Sequence, residues 1–222
     1  PLAVVVGAGA FGGWAARDLQ RAGFSVTVLD GWGPANSRSS SGDETRVIRA
    51  VYGNDADSVK NSARAMKLWR GLSEESGERV FHESGVLWLM RDNDSFVHDS
   101  IPHLTAAGLE VQPLDRREAQ KKYPQIEFED ISKIYFEKEA GFLLAKRACY
   151  LVVRLLRDRG GKYLQAAAQP GEIKGGKMKS VLLADGSELK ADVFVFACGP
   201  WLGKLFPEVI GDKVRSTRQE TF

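Results

Sequence analysis

Three glycines near the start of the chain have the spacing of a nucleotide-binding turn. An apolar, β-branched run at 4–6 leads into Gly7-x-Gly9-x-x-Gly12, and Asp30 ends a second apolar run. In such a pattern the first glycine allows a tight turn, the second lets a pyrophosphate approach the backbone, and the third lets a helix pack closely on the strand. The phosphates would bind at the helix N-terminus, where N–H groups and the helix dipole favour negative charge.

Asp30 follows these glycines by about 20 residues, the separation at which a carboxylate binds the 2′-OH of a ribose in dinucleotide-binding folds. Strand, glycine turn, helix and acid together therefore predict a dinucleotide site. The alternative is a glycine-rich turn between strand and helix, with Asp30 only ending a strand.

The cysteines and histidines lack the spacing that a metal site or a disulfide framework requires. Cys149 and Cys198 are the two cysteines of the chain and lie far apart in sequence, so we expect buried, unreactive thiols. His82, His98 and His103 show no ligand spacing and are expected to be structural or exposed. The sequence therefore predicts no metal site.

Composition and charge exclude several functional classes. The 222 residues are 43% hydrophobic and 27% charged, which is ordinary for a soluble globular protein with one large domain or parts of two. The net charge of +2 gives no basic field for nucleic acid. The apolar stretch at 2–16 is glycine-rich and shorter than the roughly 20 residues that a membrane span requires. Since the cysteine usage favours a reducing compartment, we expect a cytoplasmic protein.

Periodicity and turn residues predict alternating helices and strands. The run at 192–199 is nearly all apolar, which is typical of a buried parallel strand, and its exit at 199–201 lies where cofactors bind in open α/β sheets. Further strands are predicted at 25–30, 80–82, 86–90, 111–114, 134–136, 162–165 and within 173–183. Helices are predicted at 15–21, 58–75, 95–107, 116–122 and 145–159.

Two segments depart from a simple NAD-binding domain. A long polar loop at 31–42 follows Asp30, where a doubly wound NAD domain would continue with a helix and a parallel strand. An NAD-dependent dehydrogenase is therefore the least favoured function. Residues 214–222 have the pattern of a strand without a cap or turn, so we expect the natural polypeptide to continue and this chain to be its N-terminal part.

Four segments, in their order and spacing, carry a resemblance to a known family. They are 5–13, Thr45-Arg46-Val47-Ile48-Arg49 with Tyr52-Gly53, Ser84-Gly85-Val86-Leu87 and Ala197-Cys198-Gly199-Pro200-Trp201. The chain resembles, from Val4 to Phe222, the FAD-dependent amine and amino-acid oxidoreductases of the D-amino-acid oxidase superfamily, especially the group of monomeric sarcosine oxidase and the N-methyl-amino-acid oxidases.

The resemblance implies an α/β fold, with a Rossmann-like FAD-binding domain and a discontinuous α+β substrate domain, both incomplete in this chain. The FAD-binding domain would comprise 1–79 and 141–213. The substrate domain would comprise 80–140, and 214–222 would begin the return into it.

The resemblance also assigns residues to FAD. The backbone of the glycine turn would surround the pyrophosphate, and Asp30 would bind the adenosine ribose. Ser41 would lie near the phosphates and flavin, although the loop 39–42 could instead be an exposed polar turn. Arg46 would favour the anionic reduced flavin electrostatically. The assigned residues are Gly7, Ala8, Gly9, Ala10, Phe11, Gly12, Asp30, Ser41, Thr45, Arg46 and Gly199.

Arg49 matches the arginine that receives the substrate carboxylate in this family. A guanidinium can bind a carboxylate through two parallel hydrogen bonds. The alternative is an ordinary surface ion pair, for instance with Asp43 or Glu44. The chain departs from the family here, because serines and a glycine at 40–42 replace histidines and Glu44 is an additional acid. Arg49 and Arg46 are the predicted catalytic residues.

The resemblance implies that the whole protein oxidises the C–N bond of a small carboxylated amine, such as sarcosine or another secondary amino acid, to an imine. Its partners would be the amino-acid substrate and oxygen, which is reduced to hydrogen peroxide. One alternative is an FAD-dependent amino-acid dehydrogenase with another electron acceptor. A second is a non-catalytic or split FAD-binding subunit, with the C-terminal half as a separate chain.

Overall fold

The computed structural model describes residues 1–217. The helices are α1 (Ala10–Arg21), α2 (Ala56–Ser76), α3 (Phe96–Ala106), α4 (Arg116–Lys122), α5 (Ala145–Asp158), α6 (Leu202–Leu205) and α7 (Pro207–Ile210), with a 3₁₀ turn at Gly199–Trp201. The strands are β1 (Leu2–Val6), β2 (Ser25–Leu29), β3 (Arg46–Ile48), β4 (Phe81–His82), β5 (Val86–Met90), β6 (Val111–Leu114), β7 (Lys133–Glu137), β8 (Gly141–Leu143), β9 (Lys162–Leu164), β10 (Ala168–Pro170), β11 (Ile173–Lys174), β12 (Lys177–Met178), β13 (Ser180–Leu183), β14 (Glu188–Lys190) and β15 (Val193–Phe196).

The chain forms two compact units. Unit 1 comprises Pro1–Glu44 and the chain from Ala145 onward, and unit 2 comprises Thr45–Leu144. The boundaries between units therefore fall after Glu44 and after Leu144. The assignment of 1–79 and 141–213 to FAD binding, and of 80–140 to substrate binding, stays a prediction about function.

Unit 1 is built on a four-stranded parallel sheet with the order β15-β1-β2-β9. Alternate residues of β1 face opposite sides of this sheet, and both sides are covered. Val5 packs in a cluster with Ala16 of α1 and Leu156 of α5, whereas Val4 packs in a cluster with Val181 of β13. Because β1 is buried on both faces, its sequence is continuously apolar. The predicted Rossmann-like α/β fold is confirmed.

Helices α1 and α5 approach each other closely because α1 carries small residues on the contacting face. A Cβ atom at Gly13 would lie 3.0 Å from Cγ1 of Val152 in α5. Ala148, Val152 and Leu156 are buried at successive turns of α5, as expected for an amphipathic helix that packs one face on a sheet. Later in the chain than α5, a three-stranded antiparallel sheet has the order β10-β13-β14. Strand β11 pairs with β12.

Unit 2 contains two antiparallel sheets, with the orders β5-β7-β6 and β3-β8-β4. Asp55 caps the N-terminus of α2 by accepting a hydrogen bond from the Ser58 amide, and Gly77 ends the helix at φ +70°. Asp115 caps α4 by accepting hydrogen bonds from the amides of Arg117 and Glu118. These caps satisfy amides that have no partner within the helix.

Several predicted elements differ from the observed ones. Helix α1 begins five residues before the predicted 15–21. The prediction began too late because the first turns of the helix contain Gly12 and Gly13, which are poor helix formers. The sequence missed β3, β8, β10 and β14, which are only three residues long. β15 is parallel, as predicted, but half-buried, since it pairs with β1 only among the described residues. The predicted strand at 214–222 is wrong for 214–217, which form no regular element, and the rest lies outside the described residues.

A glycine substitution tests the packing of unit 2. A Cβ atom at Gly141 would lie 1.9 Å from the carbonyl oxygen of His82, and that backbone is held by the pairing of β4 with β8. We expect Gly141→Ala to lower the free energy of unfolding by about 2 kcal/mol or more, as overpacking does. Urea denaturation of the complete polypeptide measures this.

The matched control is Gly71→Ala, in α2, where a Cβ atom would meet nothing within 4 Å. Alanine is a better helix former than glycine, so this change should stabilise by about 1 kcal/mol. Equal unfolding midpoints for the two variants would contradict the close contact between Gly141 and the His82 carbonyl group.

Candidate functional site

The glycine turn of unit 1 is shaped by contacts between backbone atoms. Gly7 has φ +110°, and a Cβ atom there would lie 2.3 Å from the carbonyl oxygen of Ala197. A Cβ atom at Gly12 would lie 1.8 Å from the carbonyl oxygen of Gly7. Larger residues are thus excluded at both positions by the protein itself. The turn therefore brings the N-terminus of α1 directly to the carboxyl end of β1.

Gly9 leaves open the cradle in front of α1. It is the N-cap residue of this 12-residue helix and supplies no side-chain cap. A Cβ atom at Gly9 would enter the space beside Ser41, 3.1 Å from its Oγ. A helix N-terminus whose N-cap residue has no side chain, beside space that a Cβ atom would occupy, has the features that bind phosphate groups.

Ser41 lies against this helix terminus. Its Oγ accepts a hydrogen bond of 3.0 Å from the Ala10 amide. The loop that carries Ser41 is held by its own backbone, since Gly42 donates to the Ser39 carbonyl and a Cβ atom at Gly42 would lie 2.5 Å from the carbonyl oxygen of Asn36. The structure thus places Ser41 beside the predicted phosphate site.

Asp30 joins the glycine turn to the loop after β2. One carboxylate oxygen accepts a hydrogen bond of 2.8 Å from the Ala8 amide, and the other accepts from the amides of Trp32 and Gly33 at 2.9 and 3.0 Å. An ionised carboxylate accepts about four hydrogen bonds. One acceptor position therefore stays available, as binding of a ribose hydroxyl requires.

The end of β15 completes this edge of unit 1. Gly199 has φ +51° and begins the 3₁₀ turn, and the ring of Trp201 lies 5.1 Å from that of Trp32. The donor set, the helix terminus and the open space at Gly9 fit a dinucleotide. The structure brings together here the predicted residues Gly7, Ala8, Gly9, Ala10, Phe11, Gly12, Asp30, Ser41 and Gly199; the side chain of Phe11 is 87% exposed.

Both cysteines are free thiols. Burial raises the pKa of Cys149 to about 11. Burial, together with the negative charge of Asp30, raises the pKa of Cys198 to about 11. Both thiols are therefore protonated at neutral pH and poor nucleophiles, in agreement with the sequence-based expectation.

The remaining predicted residues, Thr45, Arg46 and Arg49, lie in unit 2. Thr45 and Arg46 are exposed, and Arg46 begins β3. Arg49 follows this strand and is half-buried. Its Nη1 donates a hydrogen bond to the carbonyl oxygen of Val51.

Aromatic rings surround the guanidinium of Arg49. Its Cζ lies 4.3 Å from the ring centre of Tyr52, 5.2 Å from that of Trp88 and 6.0 Å from that of Phe96. We call these three residues the aromatic pocket. Cation–π contacts of this kind attract the positive charge of a guanidinium to the rings. Apart from the Nη1 bond to Val51, the described residues accept no hydrogen bond from this guanidinium, so the rest of its five N–H groups stay available for a ligand.

No carboxylate of the described part of unit 2 lies within ion-pair distance of Arg49. The predicted carboxylate-binding role of Arg49 therefore needs no rearrangement of an existing ion pair within this unit. A guanidinium that lies among aromatic rings and has unused N–H donors is suited to bind a carboxylate.

Sequence reasoning missed two residues of this region. Neither Trp88 nor Glu137, which is 2% exposed, was among the predicted site residues. A signal existed, since Glu137 ends the apolar run Ile134-Tyr135-Phe136. An acid at the end of a predicted strand is usually exposed, however, so the run alone does not indicate a buried carboxylate.

The described residues show no group of three or more histidine, cysteine, aspartate and glutamate side chains that could hold a metal ion. His82 stacks on Phe142, with ring centres 4.9 Å apart. Within the part of the chain that the structure describes, no helix is long and apolar enough to cross a membrane.

Comparison with known proteins gives curated relatives and similar folds. The chain is 28% identical over 208 residues to a monomeric sarcosine oxidase of Bacillus sp. (strain B-0618), an alignment that covers 93% of this chain and 53% of that protein. It is 27% identical over 212 residues to an N-methyl-L-tryptophan oxidase of Yersinia pestis (strain Pestoides F). That alignment covers 96% of this chain and 57% of that protein. The chain thus spans about half the length of the curated relatives it matches.

Among solved structures, L-proline dehydrogenase from P. horikoshii is similar with a TM-score of 0.81 at 23% identity, over 92% of this chain and 54% of that chain. This likeness shows the fold. The model of the family described as FAD dependent oxidoreductase (DAO) matches residues 3–221. The predicted resemblance is confirmed, and the chain belongs to this family of FAD-dependent oxidoreductases.

Proposed function

We propose that this chain is part of an enzyme that oxidises the C–N bond of a small carboxylated amine to an imine, while oxygen is reduced to hydrogen peroxide. Sarcosine or another N-methyl amino acid is the proposed substrate. The observation that carries the proposal is the Arg49 guanidinium, which lies among the three rings of the aromatic pocket and keeps N–H donors for a carboxylate. The names of the two curated relatives, which refer to sarcosine and to N-methyl-L-tryptophan, support this substrate class.

The residues around the glycine turn would hold FAD, the cofactor of this family. The open space at Gly9 and the N-terminus of α1 suit the diphosphate, and Asp30 keeps an acceptor for a ribose hydroxyl. When bound, FAD supplies the acceptor for the electron pair that leaves the substrate. Thr45 and Arg46 stay predicted neighbours of the flavin ring.

Arg49 would anchor and orient the substrate. Two parallel hydrogen bonds from a guanidinium fix the plane of a carboxylate, and thereby the direction of the neighbouring α-carbon. The positive charge of Arg49 also disfavours a protonated amine close to it. This favours the neutral amine, whose nitrogen lone pair is needed to form the imine.

The predicted cytoplasmic location stays a prediction. So does a C-terminal half that exists as a separate chain, and so does the alternative in which an acceptor other than oxygen takes the electrons. Oxygen consumption during turnover distinguishes an oxidase from such a dehydrogenase.

The proposed activity is tested with the visible flavin spectrum of the complete polypeptide, recorded before and after anaerobic addition of sarcosine. We expect the oxidised flavin band to bleach, because the substrate electrons reduce the cofactor. A band that stays unbleached with sarcosine and with bulkier N-methyl amino acids would contradict the proposed substrate class. A protein that holds no flavin would contradict the FAD site.

Arg49→Lys tests the carboxylate anchor. Lysine keeps the charge but loses the planar pair of donors, so KM for sarcosine should rise about 10- to 100-fold, the effect of losing about 1.5–3 kcal/mol of charged hydrogen bonding. Flavin content should not change. Arg64→Lys, at an exposed position on α2, is the matched control. Unchanged kinetics in Arg49→Lys would exclude this role.

Asp30→Asn tests the ribose contact. The amide group of asparagine presents a donor where the carboxylate accepts hydrogen bonds, so we expect the Kd for FAD to rise about 10- to 100-fold. The matched control is Asp192→Asn, because Asp192 also accepts a backbone amide, that of Leu2, at 2.7 Å, but precedes β15 at the other end of the sheet. Equal FAD affinities for both variants would contradict the assignment. Equilibrium titration of the apoprotein with FAD measures them.

A further inference from the structure

Glu137 is a buried carboxylate to which the proposed reaction gives no role. It lies at the end of β7 and is 2% exposed. One oxygen accepts a hydrogen bond of 2.9 Å from the indole N–H of Trp88, and the other accepts from the backbone amide of Ala50. Burial of an ionised carboxylate costs several kcal/mol unless donors surround it.

The groups around Glu137 are hydrogen-bond donors or carry positive charge. On balance the pKa of Glu137 is raised, because burial outweighs the amide of Ala50, the indole of Trp88, the amide of Val51 and the charge of Arg49, which lower it. Both oxygens of the carboxyl group accept hydrogen bonds from these neighbours.

The two hydrogen bonds of Glu137 reach both parts of the structure that hold Arg49. Trp88 belongs to the aromatic pocket, and its ring centre lies 5.2 Å from the guanidinium. Ala50 precedes Val51, whose carbonyl oxygen accepts a hydrogen bond from Arg49. Glu137 thus connects a wall of the pocket to the backbone that receives the guanidinium.

We propose that Glu137 is a positioning residue, which fixes the orientation of the Arg49 guanidinium for a substrate carboxylate through Trp88 and the 50–51 backbone. The proposal rests on the carboxylate-binding role proposed for Arg49. Glu137 itself does not touch the substrate. Its loss would let the indole and the 50–51 backbone move, so that Arg49 would no longer be held in one orientation.

Another residue holds the opposite side of the pocket. Ser100 is fully buried, and its Oγ accepts a hydrogen bond from the Tyr52 amide and lies within hydrogen-bond distance of the carbonyl oxygens of Gly53 and Phe96. It therefore fixes the backbone at Tyr52 and Phe96, whereas Glu137 fixes the indole of Trp88. Each residue of the aromatic pocket is thus hydrogen-bonded, through its backbone or its ring, to a buried polar side chain.

The test uses Glu137→Gln, Trp88→Phe and the double variant in the complete FAD-containing protein. Glutamine presents an NH₂ group to one of the two donors, and phenylalanine keeps a ring near Arg49 without an indole N–H. For Glu137→Gln we expect KM for sarcosine to rise about tenfold, with kcat changed less than twofold. Because the hydrogen bond to Trp88 is one of the two through which Glu137 acts, the effects of the two substitutions on KM should be less than additive in the double variant.

Two comparisons separate positioning from general damage. Sarcosine methyl ester has no carboxylate charge, so its KM should stay within twofold in Glu137→Gln. The matched control is Glu83→Gln, which removes an exposed carboxylate that pairs with Arg70 in the same unit. A KM that rises equally for the acid and the ester, or does not rise at all, would overturn the proposal.

A second measurement requires no turnover. In spectra of the holoenzyme with ¹⁵N-labelled arginine, the Nε–H proton of Arg49 should be shifted by the currents of the surrounding rings, and Glu137→Gln should change this shift, because the ring of Trp88 is then no longer held. An unchanged Arg49 signal would overturn the positioning role. If the wild-type protein oxidises no carboxylated amine, the proposed function fails, while this signal still decides whether Glu137 positions Arg49. If Glu137→Gln does not fold, Glu137→Asp, whose shorter side chain draws the carboxylate away from Trp88 and Ala50 while all three rings are kept, provides the same readout.

Discussion

The close approach of backbone atoms at the glycine turn is the constraint on which unit 1 depends. Gly7 and Gly12 lie so near to neighbouring carbonyl groups that neither position has room for a Cβ atom. This approach brings β1, β15 and the start of α1 together at one edge of the sheet. The helix terminus, the carboxylate of Asp30 and the loop of Ser41 then meet at that edge.

In each unit, one carboxyl group accepts hydrogen bonds from several N–H donors. Asp30 in unit 1 accepts hydrogen bonds from three backbone amides, and Glu137 in unit 2 accepts from a backbone amide and an indole. In each case neighbouring segments supply the donors. Each carboxylate therefore joins segments that are distant in sequence, and each lies beside a position with a proposed binding role.

Much of the candidate site was predictable from local sequence. The glycine spacing, the acid after β2 and the apolar run of β15 all report backbone requirements that act within one strand–turn–helix segment. The cap of α4 by Asp115 is equally local. The three-residue strands β3, β8, β10 and β14 were missed, since so few residues establish no periodicity and their pairing partners lie far away in the chain.

The sequence by itself thus determined the α/β fold, the turn that suits a dinucleotide and the candidate role of Arg49. Only the tertiary structure decided that three aromatic rings enclose this arginine and that Glu137 is buried behind one of them. The physical reason is separation along the chain. Arg49, Trp88 and Glu137 meet only because β5 pairs with β7 and the 50–51 backbone packs against Glu137, and no local pattern encodes that meeting.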